Sequence, residues 1–117
     1  QDRDAKAAPF SATEPGISGL DTFIPLLLAL VNEGTMDLKR AIAAVTIEPA
    51  KILDLDVGAI GVGDIADICI FDPNKNWLMT EATMRSQGKN TPFLDRTFRG
   101  KVCTTLVNGR IVHEAKA

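Results

Sequence analysis

Side chains that bind metals are scarce in this sequence. It has one histidine, His113, and two cysteines, Cys69 and Cys103, with no CxxC, HxH or HExxH spacing. Because zinc sites take ligands from such closely spaced groups, the chain cannot assemble a recognisable metal site on its own. We expect His113 to lie exposed or at a strand edge. The two cysteines lie in strand-like apolar runs, which predicts free buried thiols of a reducing compartment.

An excess of positive charge and a long apolar run are also missing. The 13 lysines and arginines are outnumbered by 15 acidic residues, which argues against a nucleic-acid partner. The longest apolar run, residues 23–31, is too short to cross a bilayer, and residues 1–20 lack the charged start and apolar stretch of a signal peptide. We therefore expect a soluble, cytoplasmic protein with no membrane partner.

The length of 117 residues suits one modest domain. The chain nevertheless starts without methionine, on a long stretch of polar loop composition that has nothing before it as an anchor. This start predicts a chain that is tagged, processed or cut from something larger.

A helix is predicted after Asp21 or Thr22, either of which can cap it, and it ends at Gly34. Its apolar residues cover most of its circumference, so it needs partners on more than one side. Those partners look too few within 117 residues.

Two shorter helices are predicted to follow. The first is capped by Asp37 and covers residues 38–45, where apolar residues recur at helical spacing. The second starts at Pro49 and extends through residue 53, because proline is tolerated in the first turn of a helix.

A strand is predicted at residues 66–71, whose nearly continuous apolar run indicates that both faces are covered. Asp67 and Asp72 bracket it as turn caps, and residues 72–74 end it with turn chemistry. A second strand is predicted at residues 76–80.

The rest of the second half contains a short predicted helix at residues 81–86 and a β-hairpin. Residues 101–107 and 110–114 flank Asn108-Gly109, a pair typical of a type I′ hairpin turn.

In residues 88–100 the apolar residues follow neither the helical nor the strand spacing, so this segment is predicted to form a loop. Phe93 and Phe98 should anchor this loop along the body of the protein, and Trp77 should be a core or inter-domain anchor. The loop cations could form an anion site, but solvated charges that also pair with Asp95 are the favoured interpretation. The cations concerned are Lys89, Arg96 and Arg99.

Residues 7–22, AAPFSATEPGISGLDT, form a loop rich in proline, glycine and small hydroxyl residues. Such a composition suits a loop that wraps around a ligand, although no nucleophile accompanies it. From spacing alone, the favoured interpretation is that Gly16 and Gly19 make turns before a helix.

Several segments together resemble the C-terminal portion of a dihydroorotase of the amidohydrolase superfamily. The similarity covers nearly the whole chain, and the segments that carry it are PFSATEPGISGLDT, TIEPAKIL, VGDIADICIFDPN and GKNTPFLDRTFRGKVCTTLVNGRIV. The ADxxxFDP strand is shared by many amidohydrolases. GKNTPF followed by the RGKV and NGR elements narrows the resemblance to dihydroorotases and allantoinases, and favours the former.

The resemblance implies an α/β fold in two parts. Residues 1–57 would be the substrate loop and the C-terminal helices of a (β/α)8 metal-dependent hydrolase barrel. Residues 58–117 would be the C-terminal strands of a small β-sandwich domain. The apolar first helix would then be a barrel helix whose partners lie elsewhere.

The resemblance also implies a function. Dihydroorotases reversibly cyclise N-carbamoyl-L-aspartate to dihydroorotate in pyrimidine biosynthesis, with zinc held by histidines, often a carboxylated lysine, and an aspartate. None of these ligands maps onto this chain, and Asp2 and Asp4 follow the aspartate motif rather than forming it. The family's substrate-loop contacts carry over to Pro15 and Gly16, whose main chain would read the pyrimidine ring.

The resemblance leaves three functions open. The first is a dihydroorotase whose full-length form is active, a homo-oligomer, while this chain alone is inactive. The second is a non-catalytic dihydroorotase-like scaffold subunit for aspartate carbamoyltransferase. The third is another cyclic amidohydrolase, such as allantoinase.

Overall fold

The computed structural model describes residues 4–115, which contain helices first and strands afterwards. The helices are α1 (Phe23–Asn32), α2 (Leu38–Val45) and α3 (Ile47–Ile52). The strands are β1 (Ile68–Leu78), β2 (Thr97–Val107) and β3 (Arg110–Glu114). Short 3-10 turns at Asp4–Lys6, Phe10–Ala12 and Leu20–Thr22 precede α1. Asp4 thus lies in the first turn, while Asp2 lies outside the described residues.

The capping of α1 differs from the prediction at its start and agrees at its end. Thr22 occupies the N-cap position, but its buried hydroxyl donates to the carbonyl of Gly19 (3.1 Å) instead of capping the helix. At the other end, Gly34 takes φ +75°. The N–H of Thr35 then bonds the carbonyl of Leu30 (3.0 Å), as in a Schellman motif.

The bounds of α2 are those predicted, and the backbone N–H of Arg40 donates to Oδ1 of Asp37 (2.8 Å) as the N-cap bond. The predicted start of α3 is two residues too late. The helix begins at Ile47, and Pro49 is its third residue, where a missing N–H still costs no hydrogen bond within the helix.

One face of α1 packs against the strands. Pro25 and Leu28 are buried, whereas Phe23 and Leu30 remain exposed, by 51% and 38%. The apolar faces that were expected to need further partners therefore lack them within residues 4–115.

Within the described residues the strands form one antiparallel sheet in the order β1-β2-β3. The predicted end of the first strand at residues 72–74 is wrong: β1 continues through them to Leu78, and its ladder with β2 is irregular between Asp72 and Asn76. The turn chemistry is present, since the N–H of Asn74 donates to Oδ1 of Asp72 (2.8 Å). Continued pairing with β2 keeps the two predicted strands in one element.

The prediction that this strand is covered on both faces is also wrong for this chain. Cys69 and Ile70, whose side chains point to opposite faces of a strand, are both exposed. Cys69 and Cys103 are free thiols as expected, but Cys69 is exposed and Cys103 is only partly buried. The reason is that α1 packs near Gly100, at the other half of the sheet.

Two further expectations for the second half need correction. Residues 81–86 form a turn rather than a helix, because the hydroxyl of Thr83 accepts from the N–H of Thr80 (2.8 Å) and donates to its carbonyl (2.9 Å). Residues 97–100 belong to β2 and not to a loop, since Thr97, Phe98 and Arg99 pair with β1.

The hairpin prediction is confirmed. Val107 pairs with Arg110, and the two turn residues between them, Asn108 and Gly109, have φ values of +48° and +75°. This is the backbone of a type I′ turn. Asp67 accepts from the N–H of Asn108 (2.7 Å), which fixes the turn to the segment before β1.

The surface is large for a chain of this mass. Its accessible area is 8459 Å², whereas a compact monomer of this mass exposes about 6,200 Å². The radius of gyration is 16.4 Å, against about 13 Å for a compact domain of this length. Residues 4–115 therefore bury less of themselves than an independent domain does.

Candidate functional site

The candidate site is the loop of residues 7–22, which we call the substrate loop. Its first part is braced locally, since the hydroxyl of Thr13 donates to the carbonyl of Ala8 (2.8 Å). Pro15 and Gly16 follow and are exposed, with Gly16 at φ +92°. A residue other than glycine is strained at this φ, so the conformation favours the glycine found here.

Two links join the substrate loop to residues 84–90. The N–H of Ser18 donates to the carbonyl of Asn90 (2.7 Å). The carboxylate of Asp21 accepts from the N–H of Arg85 (2.8 Å) at Oδ1, and from the N–H (3.3 Å) and hydroxyl of Ser86 at Oδ2. Pro15 and Gly16 therefore lie just before a part of the loop that is fixed at two points.

The surroundings of Asp21 favour its charged form. Burial raises the pKa of this carboxyl group, but the Ser86 hydroxyl, the backbone N–H groups of Arg85 and Ser86, and the charge of Lys89 lower it by more. The net result is a pKa for Asp21 below its usual range. The carboxylate is therefore a stable acceptor at neutral pH, and not a candidate proton donor.

The partner of the loop is residues 79–96, which we call the platform. Its ends meet, since the N–H of Met79 donates to the carbonyl of Arg96 (3.0 Å) and the N–H of Asp95 donates to that of Met79 (2.8 Å). Buried Met79, Met84 and Phe98 form a core below it. Leu26, Trp77, Phe93 and Leu94 pack against this core. The platform is thus a closed loop with apolar support.

The aromatic anchors were predicted correctly. The ring of Phe98 is buried, and its centroid lies 5.9 Å from that of Phe93 and 5.8 Å from that of Trp77. Nε1 of Trp77 donates to the carbonyl of Gly100 (2.8 Å). Trp77 is therefore a core anchor within this chain.

The loop cations do not converge on one site. Nζ of Lys89 donates to the carbonyl of Met84 (3.1 Å), and Arg99 donates to the side-chain oxygen of Asn74. The guanidinium of Arg96 lies 5.5 Å from the ring centroid of Phe98 and 5.8 Å from that of Phe93. Their pairing with Asp95 stays a prediction.

The described residues do not supply a metal site. Within residues 4–115 no group of three or more histidine, cysteine, aspartate or glutamate side chains could hold a metal ion. His113 lies on β3 opposite Thr105 and is partly exposed, which agrees with an edge histidine. The donor set therefore does not fit the zinc site that the resemblance implies.

A separate cleft lies between α3 and the segment before β1, with a volume of about 230 Å³. Its charged lining residues are Lys51, Asp56, Asp64 and Asp67. Asp67 is already engaged by Asn108, so this side chain supports the hairpin.

Sequence reasoning singled out the loop of residues 7–22 but missed what holds it. Asp21 was one of the two residues predicted to cap α1, because an aspartate before a helix often does so. Its actual partners, Arg85 and Ser86, lie more than sixty residues away, as does Asn90 for Ser18. No local pattern signals such pairs.

Among residues 4–115, no helix has both the length and the apolar character needed to span a membrane.

The arrangement of helices, sheet and loop is that of a known class. A model of the amidohydrolase family matches residues 16–112, and the chain belongs to this family. A D-hydantoinase (dihydropyrimidinase) from Thermus sp. superimposes with a TM-score of 0.86 at 24% identity, over 97% of this chain and 26% of that chain. This likeness shows the α/β amidohydrolase fold alone.

Curated relatives narrow the resemblance. A dihydroorotase-like protein of Pseudomonas aeruginosa is 44% identical over 95% of this chain and 26% of its own length. A dihydroorotase of Syntrophus aciditrophicus is 43% identical over 93% of this chain and 26% of its own length. The resemblance to dihydroorotases is confirmed. The chain spans about a quarter of the length of these relatives.

Proposed function

We propose that this chain is the C-terminal part of a dihydroorotase. The full-length enzyme would interconvert N-carbamoyl-L-aspartate and dihydroorotate, in de novo pyrimidine biosynthesis, in the cytoplasm. Residues 1–57 would supply the substrate loop and the last helices of the (β/α)8 barrel, and residues 58–117 the C-terminal strands of the small β-sandwich domain. The identity of over 40% to proteins named dihydroorotase supports this branch of the family.

The observation that carries the proposal is the exposure of Pro15 and Gly16 beside two fixed points at Ser18 and Asp21. A dihydroorotate ring is flat and carries C=O and N–H groups around its edge. Backbone groups recognise such an edge well, and glycine allows close approach. In this chain the role is binding and orientation of the ring.

The catalytic groups are proposed to come from residues outside this chain. The large exposed area and the exposed faces of α1 support a body that completes the fold around it. Since the described residues do not fit a metal, the part of the reaction that needs zinc is not assigned to them. The isolated chain of 117 residues is expected to be inactive.

Two other functions stay candidates. The relative from Pseudomonas aeruginosa is named dihydroorotase-like and not dihydroorotase, and a non-catalytic scaffold for aspartate carbamoyltransferase is the second candidate. An L-hydantoinase (dihydropyrimidinase) from Arthrobacter aurescens is 30% identical over 89% of this chain and 24% of that chain, with a TM-score of 0.79. It keeps another cyclic amidohydrolase, such as allantoinase, as a third. We also propose that the full-length dihydroorotase is a homo-oligomer.

The test uses a full-length protein that contains this sequence. Purified protein is assayed with dihydroorotate, hydantoin and allantoin, before and after removal of metal by a chelator. Turnover of dihydroorotate that is lost with the metal and regained with zinc supports the proposal. Turnover of hydantoin or allantoin instead of dihydroorotate would favour the third candidate, another cyclic amidohydrolase. Turnover of none of these rings would favour the second candidate, the scaffold. Co-purification with aspartate carbamoyltransferase tests the scaffold proposal. The mass of the full-length protein in solution tests the proposed homo-oligomer.

A further inference from the structure

The first part of the substrate loop is held by local bonds such as that of the Thr13 hydroxyl, and its last part is bonded to the platform. Pro15 and Gly16 are exposed, and the link that follows them, from Ser18 to Asn90, is a single backbone hydrogen bond. Asp21 supplies the largest set of bonds between this loop and the platform, because one carboxylate accepts three hydrogen bonds there. Asp21 lies five residues after Gly16, so its bonds fix the end of the loop that follows Pro15 and Gly16.

We propose that Asp21 is a positioning residue, which docks the substrate loop on the platform and so holds Pro15 and Gly16 in place to bind a cyclic amide. This inference rests on the proposed function. Ser86 is its principal partner, since both its N–H and its hydroxyl donate to Oδ2. Lys89 adds a positive charge next to the same carboxylate.

The geometry requires a carboxylate rather than an amide. Oδ1 faces the N–H of Arg85, and Oδ2 faces the N–H of Ser86. Both backbone groups can only donate. An asparagine has one oxygen and one NH2 group, so in either orientation it presents a donor to one of these donors. Asp21→Asn therefore breaks at least one link while the size of the side chain is preserved.

The effect should appear in substrate binding and not in the chemical step. Asp21 is engaged by the platform and is not available to the substrate. A loop that contacts the ring equally in the ground state and in the transition state affects KM and leaves kcat unchanged. A purely structural role would instead reduce the fraction of folded protein, which lowers the apparent kcat at constant KM.

The experiment compares Asp21→Asn with Asp67→Asn in the full-length protein. Asp67 is the matched control, because it also accepts a backbone N–H, that of Asn108 (2.7 Å), but does so through Oδ1 alone. An asparagine there can keep its oxygen in place. The readouts are KM and kcat for dihydroorotate, and hydrogen exchange of peptides that cover residues 7–20.

We expect Asp21→Asn to raise KM about 10-fold with kcat within about 2-fold, and to accelerate exchange in residues 7–20. Asp67→Asn should change neither. Ser86→Ala should behave like Asp21→Asn, whereas Ser86→Thr, which retains a hydroxyl, should restore most of the affinity.

Unchanged KM in Asp21→Asn would overturn the inference, as would a fall in kcat at constant KM. Unchanged exchange would show that the loop is held without this carboxylate and would overturn it too. Absence of dihydroorotate turnover by the wild-type protein contradicts the proposed function instead. If the wild-type protein turns over another cyclic amide, KM is measured for that compound. If it turns over no cyclic amide, hydrogen exchange alone tests whether Asp21 docks the loop.

Discussion

Leu28 of α1 lies directly against the backbone of Gly100 in β2, so that a methyl group added at Gly100 would be 2.3 Å from Cδ1 of Leu28. Gly100 also has φ +99°, and its carbonyl accepts the indole N–H of Trp77. The helical half of the chain and the sheet therefore meet at a position that only glycine satisfies.

Gly100→Ala should lower the free energy of unfolding by about 2–4 kcal/mol, because it combines backbone strain with overpacking against a buried leucine. Gly109→Ala is the matched control. Gly109 also has a positive φ, of +75°, but no heavy atom lies within 4 Å of the added methyl group. Its cost should be about 1–2 kcal/mol. Equal losses in urea denaturation would mean that the contact with Leu28 is unimportant.

Met79 and Leu78 are neighbours with opposite environments, since Met79 is fully buried and Leu78 is 49% exposed. Met79→Ala should lower the free energy of unfolding by about 2–5 kcal/mol, because it leaves a cavity below the platform. Leu78→Ala should cost less than about 1.5 kcal/mol. Urea denaturation of both variants measures the difference, and a larger loss at Leu78 would contradict the described core.

The lowered pKa of Asp21 makes its stabilising effect depend on pH. In the unfolded chain an aspartate has a pKa of about 3.9. The contribution of Asp21 is therefore fully present above that pH, and it is lost as the pH falls through the lower pKa of the folded state. Asp21→Asn should destabilise the protein at pH 6 and approach wild-type stability at the acid end.

The measurement for Asp21 is urea denaturation of wild type and Asp21→Asn in steps from pH 6 downward. A constant difference between Asp21→Asn and wild type at every pH would show that charge is not what stabilises this link.

Gly16→Ala should raise KM for the cyclic amide about 10-fold in the full-length protein, because alanine is strained at φ +92° and shifts the loop. Gly63→Ala is the control, with a similar φ of +98° and no neighbour within 4 Å of the added methyl group. It should leave KM unchanged. An equal rise in both variants would point to general destabilisation, and no rise at Gly16 would remove it from the substrate site.

Much of the local structure follows from the sequence for simple reasons. The N-cap of Asp37, the glycine stop at Gly34 and the Asn108-Gly109 turn each depend on one or two neighbouring residues, so pattern alone predicts them. The predictions that failed depend on distant residues. The strand that continues past Asp72 does so because β2 pairs with it, and the exposure of Cys69 reflects which half of the sheet α1 covers.

In the candidate site, too, some features depend on neighbouring residues and others on residues that are distant in the sequence. By itself the sequence determined that α1, α2 and α3 exist, together with the hairpin, the family resemblance and the glycine-containing loop, since each depends on adjacent residues. Only the tertiary structure decided that Asp21 docks the loop on Arg85 and Ser86 instead of capping a helix, and that Leu28 requires glycine at position 100. The reason is physical: hydrogen bonds and steric contacts act over a few ångströms in space, whatever the separation along the chain.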